Sequence, residues 1–329
     1  MKALIVGLGS IGTRHLNNLS RLGVDNLSAF RSRKLPPPTE ILDKNTRIFE
    51  DYNKALEDNP DMVIIANPTS YHVPFAIKAL EANCHVYLEK PVSNSLDGVD
   101  RLIELAQKRK RVVMVGCQLR FHPNIEAIKQ WIQAKVIGRI FSVYVDTGES
   151  LPSWHPWEDY QQSYAAQTKL GGGVILTLIH ELDYLYWLLG PMKEVYAIGG
   201  HLTPLKIDVE DTALISLWSQ QKVPIQLRMD YWRKPPARKM HVVGEKGQIF
   251  WDYYSGQASV VQEDGSVIEQ SNLSENWERN DLFIAIMKNF LDTVKNRASV
   301  RVPLTDGVNV LKIALAAKAS LSQKEVIHL

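Results

Sequence analysis

An apolar run, Ala3–Val6, leads into Gly7-Leu8-Gly9-Ser10-Ile11-Gly12, and a helical pattern begins at Ser10. Glycines at this spacing permit a tight turn from strand to helix and a close approach of the backbone to whatever the turn holds. The helix that follows offers N–H groups without partners at its start, where partial positive charge suits a pyrophosphate. The segment therefore reads as the opening of a βαβ unit, with a dinucleotide held by Gly7, Gly9, Ser10, Ile11 and Gly12.

The rhythm continues for over a hundred residues. Leu27–Phe30, Met62–Ala66, His85–Leu88 and Arg111–Gly116 read as buried strands, and Ser10–Arg21, Tyr71–Ala82 and Leu96–Lys110 as helices. Alternation of this kind predicts an α/β fold whose residues 1–119 form a doubly wound parallel sheet of the Rossmann type. The pattern then changes. A helix (Pro123–Ala134), a strand (Ile140–Val145), a polar loop rich in aromatics (Gly148–Tyr164) and a long helix (Val174–Leu189) lead into six strand-like runs between Val195 and Val261. These predict a second α/β domain, residues 120–329, with an open and largely antiparallel sheet. Helices at Asp281–Asn296 and Asp306–Leu321 close it. A chain of 329 residues is long enough for two such cores.

The end of the second strand tests the nucleotide. An acid there would bind the ribose hydroxyls of NAD; this chain has Phe30-Arg31-Ser32-Arg33. Arginine and serine attract a 2′-phosphate that a carboxylate would repel, so NADP(H) is favoured and NAD(H) stays open. A second polar segment, Glu89-Lys90-Pro91, follows the strand His85–Leu88, on the edge of a parallel sheet that faces the ligand crevice. Lys90 there is a candidate acid–base group for hydride chemistry at a hydroxyl-bearing carbon; in the reductive direction its ammonium is already the acid required. On the long helix, after Gly171-Gly172-Gly173, residues Thr177, His180 and Asp183 are spaced by three and share one face, a candidate substrate edge. A third metal ligand is lacking beside His180 and Asp183, so no metal is expected. The loop 149–160 combines Trp154, His155 and Tyr160 with acids, a mixture suited to stacking on a sugar ring and bonding its hydroxyls. Tyr164, His201, Arg228, Tyr231 and Arg233 are available but unplaced.

Net charge is +2, from 38 basic and 36 acidic side chains, which argues against nucleic acid as a partner. No apolar run approaches the ~20 residues of a membrane span. The opening residues read as a strand rather than a signal peptide, and the two cysteines, Cys84 and Cys117, as buried thiols. A cytoplasmic protein is expected.

At these motifs the chain resembles the Gfo/Idh/MocA family of oxidoreductases. The resemblance rests on Gly7–Gly12, Asn67-Pro68-Thr69 with His72, Glu89-Lys90-Pro91, and the triple glycine followed by His180 and Asp183. Gln118-Leu119-Arg120-Phe121-His122-Pro123 looks like the family's segment between domains. The resemblance implies that Asn67, Pro68, Thr69, His72, Glu89, Lys90, Gln118 and Arg120 contact the cofactor. It also implies that Lys90-Pro91 is cis, and that Lys90 and His180 are catalytic. The reaction implied is reversible oxidation of a hydroxyl on a sugar, a cyclitol or a derivative such as a nucleotide sugar or sugar acid. A homo-dimer or homo-tetramer assembled through the C-terminal sheet is implied as well. One departure stands out. Members often carry an aspartate one turn before the histidine, where this chain has Thr177 with Leu176 beside it, and threonine can hydrogen-bond but cannot stabilise an imidazolium by charge. Two other functions stay open: a redox-neutral glycosidase with a trapped cofactor, and a cofactor-binding sensor without turnover.

Overall fold

The computed structural model describes residues 1–32 and 46–329, which divide into two compact units. The first comprises Met1–Gln118 and Glu278–Val308, the second Leu119–Trp277 and Asn309–Leu329.

The first unit is built on strands β1 (Lys2–Val6), β2 (Asn26–Phe30), β3 (Arg47–Phe49), β4 (Met62–Ile65), β5 (His85–Leu88) and β6 (Val113–Val115). They lie in the order β3-β2-β1-β4-β5-β6, every pair parallel. Helices α1 (Ser10–Arg21), α2 (Tyr52–Glu57), α3 (His72–Glu81) and α4 (Val99–Arg109) occupy the connections. Leu4, Ile5, Val63 and Ile64 have no exposure, as strands covered on both faces require. Helix α1 buries Leu16 and Leu19 and leaves Arg21 outside. The strand order reverses direction between β1 and β4. The crevice at such a reversal lies outside the carboxyl ends of the strands, where the loops after β1, β4 and β5 begin.

The second unit contains α5 (Pro123–Gln133), β7 (Ile140–Gly148), α6 (Val174–Thr177), α7 (His180–Leu189), β8 (Met192–Gly200), β9 (Thr212–Ser219), β10 (Pro224–Asp230), β11 (Ala237–Gly244), β12 (Gly247–Asp252), β13 (Gln257–Val261) and β14 (Val267–Asn272). Helices α8 (Arg279–Val294) and α9 (Leu304–Gln323) and a short β15 (Ile327–His328) end the chain. The sheet order is β14-β13-β12-β11-β7-β10-β9-β8-β15, antiparallel except where β10 runs parallel to β7. Alternate residues such as Val143, Val145, Ile215, Leu227 and Met240 are buried, and the residues between them face outward.

Three features differ from the sequence reading. Glu278–Val308 belongs with the first unit rather than with a contiguous domain 120–329, because α8 packs on α1. Asn18 and Asn280 exchange side-chain hydrogen bonds, and the Arg14 guanidinium lies 4.6 Å from the Phe283 ring centre. The expected helix Val174–Leu189 is two helices. Leu178 leaves helical geometry at ψ 32° and ends α6, and α7 restarts at His180. Thr177 and His180 therefore do not share one helix face. The β-branched run Val174, Ile175, Thr177 and Ile179 has low helix propensity, so the break costs little. Finally, β3, α2, β14 and β15 carried no sequence signal strong enough to be read.

Candidate functional site

The turn after β1 is shaped by what its glycines exclude. A Cβ on Gly7, where φ is +92°, would lie 3.0 Å from Ala66 O and Asn67 N, so the turns after β1 and β4 touch. A Cβ on Gly12 would lie 1.8 Å from Gly7 O, so no side chain fits. A Cβ on Gly9 would meet nothing within 4 Å; Gly9 and Ser10 are exposed. The first turn of α1 has no side-chain cap and no acid. A closed turn, an open Gly9 and an uncompensated helix start fit a dinucleotide pyrophosphate. Gly7 N–H donates to Phe30 O at 2.9 Å and Arg31 N–H to Phe49 O at 3.1 Å, so Arg31 and Ser32 begin directly beyond β2. Arg33 lies outside the described residues.

The loops after β4 and β5 are joined by His72. Its buried ring places Nδ1 2.7 Å from Pro91 O and Nε2 2.9 Å from Asn67 O. Burial pulls its pKa down, against the pull of the two carbonyls. A neutral ring donates to one of them at a time. Asn67 and Pro68 are half-buried and Thr69 is buried. The half-buried Lys90 precedes Pro91 through a cis peptide bond. Glu89 faces inward: its Oε1 is 2.7 Å from His15 Nε2, and its Oε2 accepts from the Lys90 N–H at 3.3 Å. Gln118, also buried, follows β6 through Gly116 and Cys117.

In the second unit Arg120 and Asp183 are paired. Arg120 Nε and an NH2 group reach the two carboxylate oxygens at 2.7–3.2 Å, and both side chains are buried. Thr177 lies beside the buried Tyr231 hydroxyl, and Trp154 packs edge-on against the Tyr231 ring, centroids 5.5 Å apart. Two of the expected substrate residues, Thr177 and Trp154, are thus gathered around Tyr231. His180 is buried at the first position of α7. Tyr160 turns its hydroxyl toward the connection between β8 and β9, accepting from Lys206 N–H at 3.3 Å, and the His155 ring leans on Trp157. Nearby, Arg238 donates to Glu181 at 2.7 Å and lies 3.6 Å from Glu149; burial alone would lower its pKa, and the two carboxylates outweigh that and raise it.

Comparison with known proteins agrees with this architecture. The family profile described as an oxidoreductase family with an NAD-binding Rossmann fold matches residues 1–117, and that of the GFO/IDH/MocA C-terminal domain matches residues 125–250. The chain belongs to the Gfo/Idh/MocA oxidoreductase family. It is similar to a myo-inositol 2-dehydrogenase of Thermotoga maritima, 27% identical over 100% of this chain and 98% of that protein. Two solved structures share the fold. A levoglucosan dehydrogenase, described in complex with NADH and levoglucosan, has a TM-score of 0.89 at 17% identity and covers 100% of this chain and 99% of its own. The WlbA dehydrogenase of Bordetella pertussis, described with NADH and UDP-GlcNAcA, has a TM-score of 0.82 at 20% identity, covering 100% and 98%.

As a Gfo/Idh/MocA protein the chain binds a nicotinamide dinucleotide through its first unit. Two residues of consequence had no role assigned from the sequence. His15 stands out only as a polar residue on the buried stripe of α1, four positions after Ile11. Tyr231 was one of several unplaced aromatics until β10 and α6 brought it to Thr177.

Proposed function

We propose that this protein is an NADP(H)-dependent dehydrogenase that interconverts a hydroxyl and a ketone on a neutral sugar or cyclitol. The observation that carries the reading is the convergence of three loops at the carboxyl ends of β1, β4 and β5: the Gly7–Gly12 turn, Asn67-Pro68-Thr69, and Glu89-Lys90-Pro91. Bound there, the nicotinamide supplies the hydride acceptor or donor. Gly9, Ser10 and Ile11 hold the pyrophosphate with backbone N–H groups and the positive end of α1. Lys90 takes up the hydroxyl proton in oxidation and returns it in reduction; His180 is the second unit's candidate substrate group. Trp154 offers a ring face to the sugar.

The NADP(H) preference rests on Arg31 and Ser32, which follow β2 where NAD enzymes place an acid. A neutral substrate is supported by the second unit's buried guanidinium groups. Arg120 faces Asp183, and Arg238 faces Glu181 and Glu149, so each already has a carboxylate partner. We also propose that the protein works as a homo-dimer or homo-tetramer through the open face of its nine-stranded sheet.

The test is a parallel fluorescence titration with NADPH and NADH, followed by turnover on inositols and neutral sugars for the wild type and Lys90→Ala. Tighter NADPH binding, and a loss of at least ~100-fold in rate with cofactor binding kept in Lys90→Ala, are expected. Tighter NADH binding would remove the cofactor assignment, and a Lys90→Ala enzyme near wild-type rate would remove the role of Lys90.

A further inference from the structure

The Glu89 carboxylate is buried at 8% exposure, yet it is a charged group at the end of a parallel strand. Burying a carboxylate is costly unless partners satisfy it. Two donors reach it, and a tyrosine packs against it. His15, with no exposure, reaches Oε1 from the second turn of the dinucleotide helix α1 at 2.7 Å. The Lys90 N–H approaches Oε2 at 3.3 Å. The Tyr87 hydroxyl stands against the same carboxylate, and a Cβ on Gly116 would lie 3.0 Å from both groups, so a glycine there makes room for them. His15 is itself held edge-on between Tyr87 and Phe283, at centroid distances of 5.0 and 5.9 Å.

We infer that His15 and Glu89 form a positioning pair that fixes Lys90 relative to the dinucleotide helix. The geometry gives the pair that task and no direct one. His15 lies on the buried stripe of α1, away from the exposed Gly9 and Ser10, and Glu89 spends both oxygens on protein donors. One carboxylate thereby ties the backbone N–H of the proposed acid–base residue to the helix that holds the pyrophosphate. A side chain that must meet a hydroxyl while a hydride moves loses rate steeply with small misplacement. The inference rests on the proposed role of Lys90, and it gives Glu89, which the resemblance places on the cofactor, a task carried out with His15 through protein donors instead.

The test compares His15→Phe, which keeps a flat ring between Tyr87 and Phe283 but removes the donor, with His15→Gln, which restores a donor at the reach of Nε2. His15→Phe is expected to lower kcat about tenfold with NADPH affinity and substrate KM within threefold of wild type, and His15→Gln to recover most of that loss. In the Lys90→Ala background, His15→Phe is expected to cost no further rate, because the pair acts through Lys90. Glu89→Gln, which keeps the shape and removes the charge, repeats the measurement should His15→Phe fail to fold. Unchanged kcat in both His15→Phe and Glu89→Gln would overturn the inference. So would equal losses in His15→Phe and His15→Gln, a fall in NADPH affinity matching the fall in kcat, or full additivity with Lys90→Ala. A wild-type protein that binds NADPH and turns over no polyol would instead overturn the proposed function, a result visible before any His15 variant is made.

Discussion

His122 begins α5 as its cap: Nδ1 accepts the Asn124 N–H at 3.2 Å, and Trp251, Tyr253 and Trp277 surround the ring. A protonated imidazole has no lone pair left at Nδ1, so the cap exists only in the neutral form. Burial first, and the Arg238 guanidinium second, push the His122 pKa down to about 4. Because the folded value lies below the ordinary one, the unfolded chain binds more protons between pH 6.5 and 4. Stability is therefore fully present above pH 6.5 and is lost as pH falls toward 4. At pH 5 the loss from this one group is about 2 kcal/mol. Urea unfolding at pH 7.5 and pH 5 is expected to show that loss in the wild type and not in His122→Asn, whose side-chain oxygen caps without titrating. Equal pH dependence in the two proteins would remove His122 as the source. In the sequence His122 is only the residue before Pro123; its aromatic partners are more than a hundred positions away, so its environment was not legible there.

The element that most departs from its sequence pattern is the pair α6–α7, and its start depends on Gly173. Gly173 has φ +105°, and a Cβ there would fall 2.3 Å from Glu210 Oε1. That carboxylate is fixed: it receives Lys318 Nζ at 2.7 Å, and the Ile175 N–H points to it at 3.4 Å. Gly173→Ala must then strain the backbone and displace Glu210, for an expected destabilisation of about 2–4 kcal/mol, read as a fall in Tm. Gly9→Ala is the contrast. With φ −76° and open space at its Cβ, it is expected to leave Tm within a degree or two and to weaken NADPH binding, because the new methyl occupies the face that the phosphates approach. A stable Gly173→Ala protein, or a Gly9→Ala protein with unchanged NADPH affinity, would contradict the respective argument. These two glycines also mark the limit of what was legible. The turn Gly7–Gly12 and the motif Glu89-Lys90-Pro91 were readable because strand, turn and helix signals are contiguous there. The break at Leu178 was not, because apolar spacing of 3.6 runs straight through it. Strand β14 was missed because it is exposed along nearly its whole length and lacks an alternating pattern. The pairing of Glu89 with His15, 74 positions apart, has no local signal at all.

At the scale of the whole molecule, the nine-stranded sheet poses the remaining question. Its register aligns Tyr196, Ser216, Gln226, Tyr144, His241 and Phe250 in one row across five strand junctions. On this face Tyr144 is 45% exposed, Ile198 49%, Trp218 39% and Phe250 39%. Exposed aromatic and aliphatic side chains gathered on one sheet face are what the proposed dimer or tetramer would cover. The same face carries both signs of charge, already paired within the chain, Arg228 lying 3.6 Å from Asp146 and 3.4 Å from Asp230, so it presents no block of like charge to a second copy. Burial, and then the nearby Asp146 and Asp211, raise the pKa of the buried Asp230, against the pull of Arg228 and Arg233, each 3.4 Å from its carboxylate. Sedimentation at micromolar concentration is expected to give at least twice the protomer mass. Tyr144→Glu with Tyr196→Glu places one charge near the middle of the row and one at its β8 end, and is expected to return the protomer mass. NADPH affinity should stay within threefold, because both positions lie in the second unit and the dinucleotide turn is built wholly within the first. A wild type that sediments as a single protomer, or a double variant that assembles as the wild type does, would leave the sheet face without the role proposed for it.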